Sequence, residues 1–402
     1  MTHDSTDWTA LRRRFPGAEQ MTYLDGNSLG LCSTQAQAAL EQRLAEWQTL
    51  GIGGWTDPRA SWLHLSREIA AAMAPLVGAA PERLWVHGTT TLMLHQLLST
   101  LWQPADGRDT ILLEAGPFPT DAYAAQSHQR LRGLDDLRHI RYVEPDGDLL
   151  DEDAIIDAMQ PPVGCVLLPA VIYTTGQWLD LKKITAAARE RDILVLWDCS
   201  HAAGSVPLDL DELDADGAFW CGYKYLNGGP GAVAGGYLAP RHSEKLPGLA
   251  GWFGSSDDAL FRMEATMTPA PSAKRMELGT PHVLSLAPML PAVNMLAGVG
   301  IDALRERSLH LTSRLIKQID DRLAPLGFSV ATPRDPARRG GHIALRHPDA
   351  QTLVDHLTEH HVVTDFRYPD LCRVAPVAAY NNDDDIERFI ETVEAWTRHG
   401  AA

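Results

Sequence analysis

Between residues 110 and 238 the chain alternates short apolar runs with helix-like segments. Residues 110–113, 139–143, 163–168 and 193–197 read as strands, and 151–159 and 181–191 as helices. Residues 218–220 and 232–238 add two more strands. Strands that are apolar throughout need cover on both faces, and helices between them supply it. The predicted fold class is α/β: a mostly parallel sheet covered by helices in one large domain. Ligands of such a sheet bind beyond the carboxyl ends of the strands. Past residue 240 the pattern changes to a helix-rich run over 288–323, strands near 342–345, 362–366 and 372–374, and a closing helix over 386–396. A chain of 402 residues exceeds one ordinary core. The expected division is an N-terminal segment, 1–50, contributing to the small domain; a large domain, 51–287; and a small α+β domain, 288–402. Residues 1–20 open on a short helix. A helix from about residue 34 follows, with Ala36, Leu40, Leu44 and Trp47 at helical spacing.

A formal charge of −17 argues against nucleic acid and anionic membranes as partners. It does not keep a small anion out of a locally positive pocket. No run of eighteen apolar residues occurs, and the first fifteen residues lack a hydrophobic signal core. The five cysteines are widely spread with no CxxC pair, which predicts reduced thiols and a cytoplasmic setting. No metal is expected: the sixteen histidines contain no HExxH, and residues 146–153 lack the glycine and final glutamate of a calcium loop.

Residues 220–231, WCGYKYLNGGPG, hold Lys224 between a strand and a turn rich in Asn and Gly. The aromatic neighbours Trp220, Tyr223 and Tyr225 make an idle ammonium expensive there, although a surface lysine fits the pattern too. Upstream, LVLWDCSH ends an apolar strand on Asp198, with His201 one short turn later. An aimed lysine and an acid at a strand end are the minimum equipment for pyridoxal 5'-phosphate. The lysine forms a Schiff base, and the carboxylate pairs with the pyridinium nitrogen so that the ring can accept electrons. Asp198 reads equally as a cap of the following turn, and His201 as a satisfied core histidine. Gly88, Thr89, Thr90 and Thr91 end a strand and start a helix, where free N–H groups and hydroxyls make an anion site or an ordinary N-cap. Phe118 is a candidate to stack on a ring, and Tyr223 a candidate proton donor or phosphate partner. Arg373, beside a short strand, suits a substrate carboxylate or a surface ion pair.

These stretches resemble the kynureninase family, in the aspartate-aminotransferase-like, fold type I group of pyridoxal phosphate enzymes. The resemblance rests on YLDGNSLG (23–30), FPTD (118–121), TGQ (175–177), DCSHAAG (198–204), YKYLNGGPG (223–231), GWFG (251–254), LGTPHVLS (278–285) and RVAPVAAYN (373–381). They follow the family's order over nearly the whole chain. Tyr223 stands where cysteine desulfurases typically put histidine. The resemblance implies a homodimer that hydrolyses L-kynurenine, and often its 3-hydroxy form, to anthranilate and L-alanine. It implies that Lys224 carries the cofactor, that Asp198 meets the pyridine nitrogen with His201 close to the ring, and that Phe118 stacks on it. Thr90, Thr91 and Tyr223 would surround the phosphate, with Trp252 and Thr280 reaching in from the partner subunit. Arg373 would bind the amino-acid carboxylate, and Trp62 would face the substrate's aromatic ring. Independently of the resemblance, the adjacent Lys224 is expected to lower the pKa of Tyr223 and let it serve in both directions. Two positions depart from the family pattern: Met93 replaces an asparagine, and Pro169 a serine or threonine.

Overall fold

A computed structural model of the chain describes residues 6–105, 107–135 and 137–399. Residues 1–5 and 400–402, the outer ends of the expected N-terminal segment and small domain, lie outside the described residues. The expected opening helix forms as two short ones, Trp8–Arg12 and Gly17–Gln20, broken at Pro16. Strand β1 (Thr22–Tyr23) comes next. The large sheet is built from β2 (Leu84–His87), β3 (Thr110–Glu114), β4 (Ile140–Val143), β5 (Val163–Pro169), β6 (Leu194–Asp198), β7 (Gly217–Trp220) and β8 (Ala234–Leu238). Its order is β2-β8-β7-β6-β5-β3-β4. The run from β7 to β4 is parallel, and β8 lies antiparallel to both β7 and β2.

The period of two along a strand explains why these runs are apolar at every position. Leu112, Val166, Leu168, Val195 and Trp197 pack into the core on one face of the sheet. Their alternates Ile111, Leu113, Cys165, Leu167 and Leu196 pack into the core on the other. A polar residue inside these runs would have no wet face to turn to. Two glycines of β8 have a packing reason: a Cβ on Gly235 would lie 2.5 Å from the Trp220 ring, and one on Gly236 2.4 Å from Trp85.

A second sheet, β12-β13-β10-β9, is antiparallel: β9 (Ser329–Val330), β10 (Ile343–Arg346), β12 (Asp365–Arg367) and β13 (Leu371–Val374). The N-terminal stretch packs beside it: β1 pairs in parallel with β11 (Val362–Val363) as a separate two-stranded sheet, and Asp25 bridges to Ala375 just past β13. Leu24 is buried in the same core as Ile343, Val374 and Phe389. The helix Thr34–Leu50 forms over the expected residues, but only Ala36 of its expected apolar set is buried. Leu40, Leu44 and Trp47 are 42%, 45% and 58% exposed. Among the described residues no single helix is long and apolar enough to cross a membrane.

Candidate active site

The ends of β3, β5 and β6, the loop after β7 and the start of the helix Thr90–Leu101 surround one cavity of about 200 Å³. Thr90, Thr91, Phe118, Asp198, His201, Tyr223 and Lys224 all line it. Residues scattered over 135 positions thus converge as the carboxyl-edge rule requires.

One end of the cavity is a helix N-terminus. Thr89 caps it, its hydroxyl accepting the Leu92 N–H at 3.3 Å. Thr91 and Thr120 hydroxyls sit 3.3 Å apart. The chain turns into this helix at Gly88, whose φ of +51° favours glycine. A Cβ there would also lie 2.5 Å from Leu92. The first-turn N–H groups and threonine hydroxyls make a site for an anion.

Lys224 follows β7 and is fixed from two sides. Asn227 turns the chain with a φ of +54°, and Gly30 of the YLDGNSLG stretch donates its N–H to the Tyr223 carbonyl at 2.7 Å. The Lys224 Nζ lies 2.9 Å from His201 Nε2 and 5.8 Å from the Phe118 ring centre. Burial, with the Lys224 charge beside it, holds His201 well below its ordinary pKa. Its neutral ring accepts a hydrogen bond from the ammonium. Asp198 combines both readings offered by its sequence. Its Oδ1 accepts the Ser200 N–H at 2.8 Å, capping the turn, and Oδ2 is left for another donor. Burial raises its pKa, against the pull of Lys224.

Tyr223 corrects one expectation. Burial first, then the neighbouring Cys221, raises its pKa; Lys224 does not lower it. The phenol stays protonated and is a proton donor rather than a phenolate.

Other expected site residues are not brought to the cavity within this chain. Arg373 is 1% exposed and already engaged. Nε donates to Asp365 Oδ1 at 2.7 Å, Nη2 to Ser28 Oγ at 2.9 Å and to Asp365 Oδ2, and Nη1 to the Tyr173 carbonyl at 2.8 Å. Of its five N–H groups one remains. It connects to the cavity through Tyr173, which lines the wall and meets Phe118 edge-on at 5.7 Å, and its charge also acts on His201. Trp62 is buried elsewhere: it donates to Glu46 at 2.8 Å and packs edge-on to Trp55 at 5.6 Å. Trp252 and Thr280 are exposed and lie outside the cavity wall.

Comparison with known proteins bears on what the cavity is for. A family model described as the kynureninase C-terminal domain matches residues 304–393. A kynureninase of Geobacillus thermodenitrificans is 44% identical over 373 residues, which cover 92% of this chain and 87% of the relative. The kynureninase of Shouchella clausii is 41% identical over 95% of this chain and 90% of its own. The chain belongs to the kynureninase family. Solved structures with the same fold include a C-DES mutant with glycine covalently linked to its PLP cofactor, at a TM-score of 0.83, 21% identity, and 95% and 98% coverage. The apo cysteine desulfurase of Thermococcus onnurineus follows at a TM-score of 0.82, 17% identity, and 97% and 98% coverage. At such identities these two speak for the fold alone, and the fold is α/β as expected.

Against the kynureninase pattern, Met93 is buried in the core beneath the anion-binding turn, and Pro169 lines the cavity. Sequence reasoning passed over Glu114, Asp121 and Tyr173 as cavity residues. Asp121 is 1% exposed, and neither of its carboxyl oxygens has a hydrogen-bond partner. A carboxylate closing an apolar strand, as Glu114 does in TILLE, was the available signal.

Proposed function

We propose that this chain is a pyridoxal 5'-phosphate-dependent hydrolase that cleaves the Cβ–Cγ bond of L-kynurenine, giving anthranilate and L-alanine in tryptophan breakdown. The observation that carries this is the convergence of Lys224, Asp198 and the Thr90–Thr91 turn on one cavity in a chain of this family. The residues fit the cofactor. A buried acid with a spare oxygen, an anion-binding helix start, an aromatic face at Phe118 and a lysine within one enclosure match its ring nitrogen, phosphate, ring face and aldehyde. When bound, the cofactor supplies an electron sink for charge at the substrate's α and β carbons.

The protein's part follows from its geometry. The Thr90 and Thr91 N–H and hydroxyl groups would hold the phosphate by hydrogen bonds at the helix start. Asp198 would accept the ring N–H and keep that nitrogen protonated. Lys224 would take the Cα proton on Nζ, and neutral His201 steadies that nitrogen by accepting its hydrogen bond. Water supplies the oxygen that leaves in the anthranilate carboxylate. Tyr223, a protonated phenol, gives its proton to Cβ after the carbon–carbon bond breaks. Arg373 takes the amino-acid carboxylate by sharing or exchanging its contact with Asp365. The 3-hydroxy substrate belongs to the same chemistry.

The working unit is a homodimer. Support comes from the exposed apolar row Leu40, Leu44 and Trp47, continued by Ile52 at 84% exposure, and from Trp252 and Thr280 standing outside their own chain's cavity. A cysteine desulfurase reading fares worse. That chemistry needs an accessible thiolate. Cys32 is exposed but does not line the cavity, and Cys165, Cys199, Cys221 and Cys372 are buried, with burial raising each pKa.

The test is direct. Purified protein should develop visible absorbance with the cofactor, and borohydride reduction should label Lys224. Adding kynurenine should yield anthranilate and alanine in equal amounts. Absorbance without products would leave the cofactor and overturn the substrate; no label at position 224 in folded, cofactor-saturated protein would overturn both. A single-chain mass in solution would overturn the dimer.

A further inference from the structure

The cavity holds more carboxyl groups than its cations can balance. Three line it: Asp198 at the end of β6, Glu114 at the end of β3, and Asp121 in the first turn of the helix Pro119–Leu131. One lysine faces them. Asp198 has a task in the proposed chemistry; Glu114 has none. Yet Glu114 is 3% exposed, and its Oε2 has no hydrogen-bond partner. A buried, unpartnered carboxyl oxygen costs on the order of 1–3 kcal/mol, more if charged, so an idle glutamate here would be a poor choice.

Its surroundings are almost all neutral or negative. Glu114 pairs across the sheet with Val143. On its other side β5 separates it from β6, which ends on Asp198. The residue of β5 level with Asp198 is Pro169, which has neither an N–H nor a hydroxyl to offer. The helix start across the cavity contributes Thr90 and Thr91, which carry no charge. The charged and titratable groups that share the cavity with Glu114 are Asp198, Asp121, Lys224, the neutral His201, and the phenols of Tyr173 and Tyr223; its own backbone N–H also donates to the carboxyl and pulls its pKa down. Burial first, then the Asp198 charge, raises Glu114 to about 8. Asp121 is raised as well, by burial and by both other acids.

We propose that Glu114 is a positioning residue that keeps a proton in the cavity wall, so that Asp198 faces the cofactor ring nitrogen without a second negative charge competing for it. The proposal rests on the cofactor reading given above. Ionisation of Glu114 adds a carboxylate to the wall and changes the electrostatics around the ring. Holoenzyme absorbance should therefore show a transition near pH 8 that follows Glu114.

The experiment compares wild-type holoenzyme with Glu114→Gln, which keeps the shape and fixes the neutral state. Visible absorbance of the bound cofactor is titrated from pH 6 to pH 10. The wild type should show the transition near pH 8, and the variant should lack it while matching the wild-type spectrum at pH 6. Infrared spectra of cofactor-free wild type with isotope-labelled glutamate give a second readout that needs neither the variant nor the cofactor. A protonated-carboxyl band should be present at pH 6 and lost by pH 10. Identical titrations of both proteins, or no such band at pH 6, would overturn the proposal. Failure to develop cofactor absorbance at any pH would instead overturn the reading on which it rests, and the proposal with it.

Discussion

The wall of the cavity and a second wall, the Arg373 cluster outside it, treat their polar groups in opposite ways. On the side of the large sheet, Glu114, Asp121 and His201 all carry buried atoms without hydrogen-bond partners. On the side of the small antiparallel sheet, Arg373 is nearly saturated by Asp365, Ser28 and the Tyr173 carbonyl. Unpaired buried groups cost free energy, and paired ones recover it. The first wall is thus built for something that arrives and completes it. The second keeps one Arg373 N–H of five, with neither ring nitrogen of nearby His342 paired, so it binds a carboxylate by sharing or exchanging the Asp365 contact. One wall stores the need for a ligand; the other holds a carboxylate where the substrate's carboxylate is to go.

The sharpest way to break this comparison is at Lys224. Lys224→Ala should abolish borohydride-dependent labelling and lower kcat/KM by at least about a thousandfold, since a covalent contact has no substitute. The fold should survive, because Lys224 supports no core. Retained turnover within tenfold would mean that the first wall does not act as described. Tyr223→Phe comes next. With the phenol protonated across the neutral range, its loss should lower kcat on the order of a hundredfold and leave cofactor affinity near wild type. Rapid mixing should place the deficit after bond cleavage, with anthranilate formed in a burst and alanine released slowly. An unchanged rate of alanine release would remove Tyr223 from the proton path.

The second wall is tested at Asp365. It is half-buried beside Arg373 and held below its ordinary pKa: burial pushes it up, but the hydrogen bonds and charges of Arg373 and then Arg367 outweigh that. A group lowered in this way stabilises the fold above its ordinary pKa, and the contribution is lost as pH falls through the lower, folded value. Asp365→Asn should remove that contribution and leave a buried guanidinium underpaired, at a cost of about 3 kcal/mol at neutral pH. Thermal unfolding should show the loss. A small carboxylate such as acetate should restore more stability to the variant than to the wild type, because it fills the place Asp365 left. Equal effects of acetate on both proteins would mean that Asp365 is ordinary scaffold and that Arg373 does not exchange.

The difference between the walls also explains what the sequence made legible. The large sheet was readable because β3, β5 and β6 are buried on both faces, so apolar runs mark them without ambiguity. Their ends then named Asp198 and, through the turn after β7, Lys224. Glu114 was passed over because a single acid after TILL looks like the start of a loop; only the depth of the cavity distinguishes it. The small sheet was fainter. Strands of two to four residues carry little periodicity, and β1 joins β11 across more than three hundred residues. The engagement of Arg373 by Asp365 was out of reach, since eight residues separate them in sequence and an antiparallel register brings them together. The Thr34–Leu50 helix shows the limit of spacing arguments. Its apolar row was visible, but periodicity says that a face exists and not what covers it.

The smallest effect concerns Trp62, expected at the substrate ring and found in the packing beneath the Thr34–Leu50 helix. Its indole Nε1 donates to Glu46, which also receives Arg43 at 2.7 Å. Gly54 packs against the ring so closely that a Cβ there would lie 2.5 Å away. Trp62→Phe removes one hydrogen bond to a charged acceptor and part of a packed ring. Arg43 still pairs with Glu46, so the carboxylate is not stranded. The expected cost is about 1–2 kcal/mol, a drop of a few degrees in the unfolding temperature. KM for kynurenine should change less than twofold, because Trp62 does not line the cavity. A raised KM with an unchanged unfolding temperature would reverse the assignment. It would put Trp62 in a substrate pocket that one chain alone does not complete, and would shift weight from the wall of the large sheet to the dimer interface.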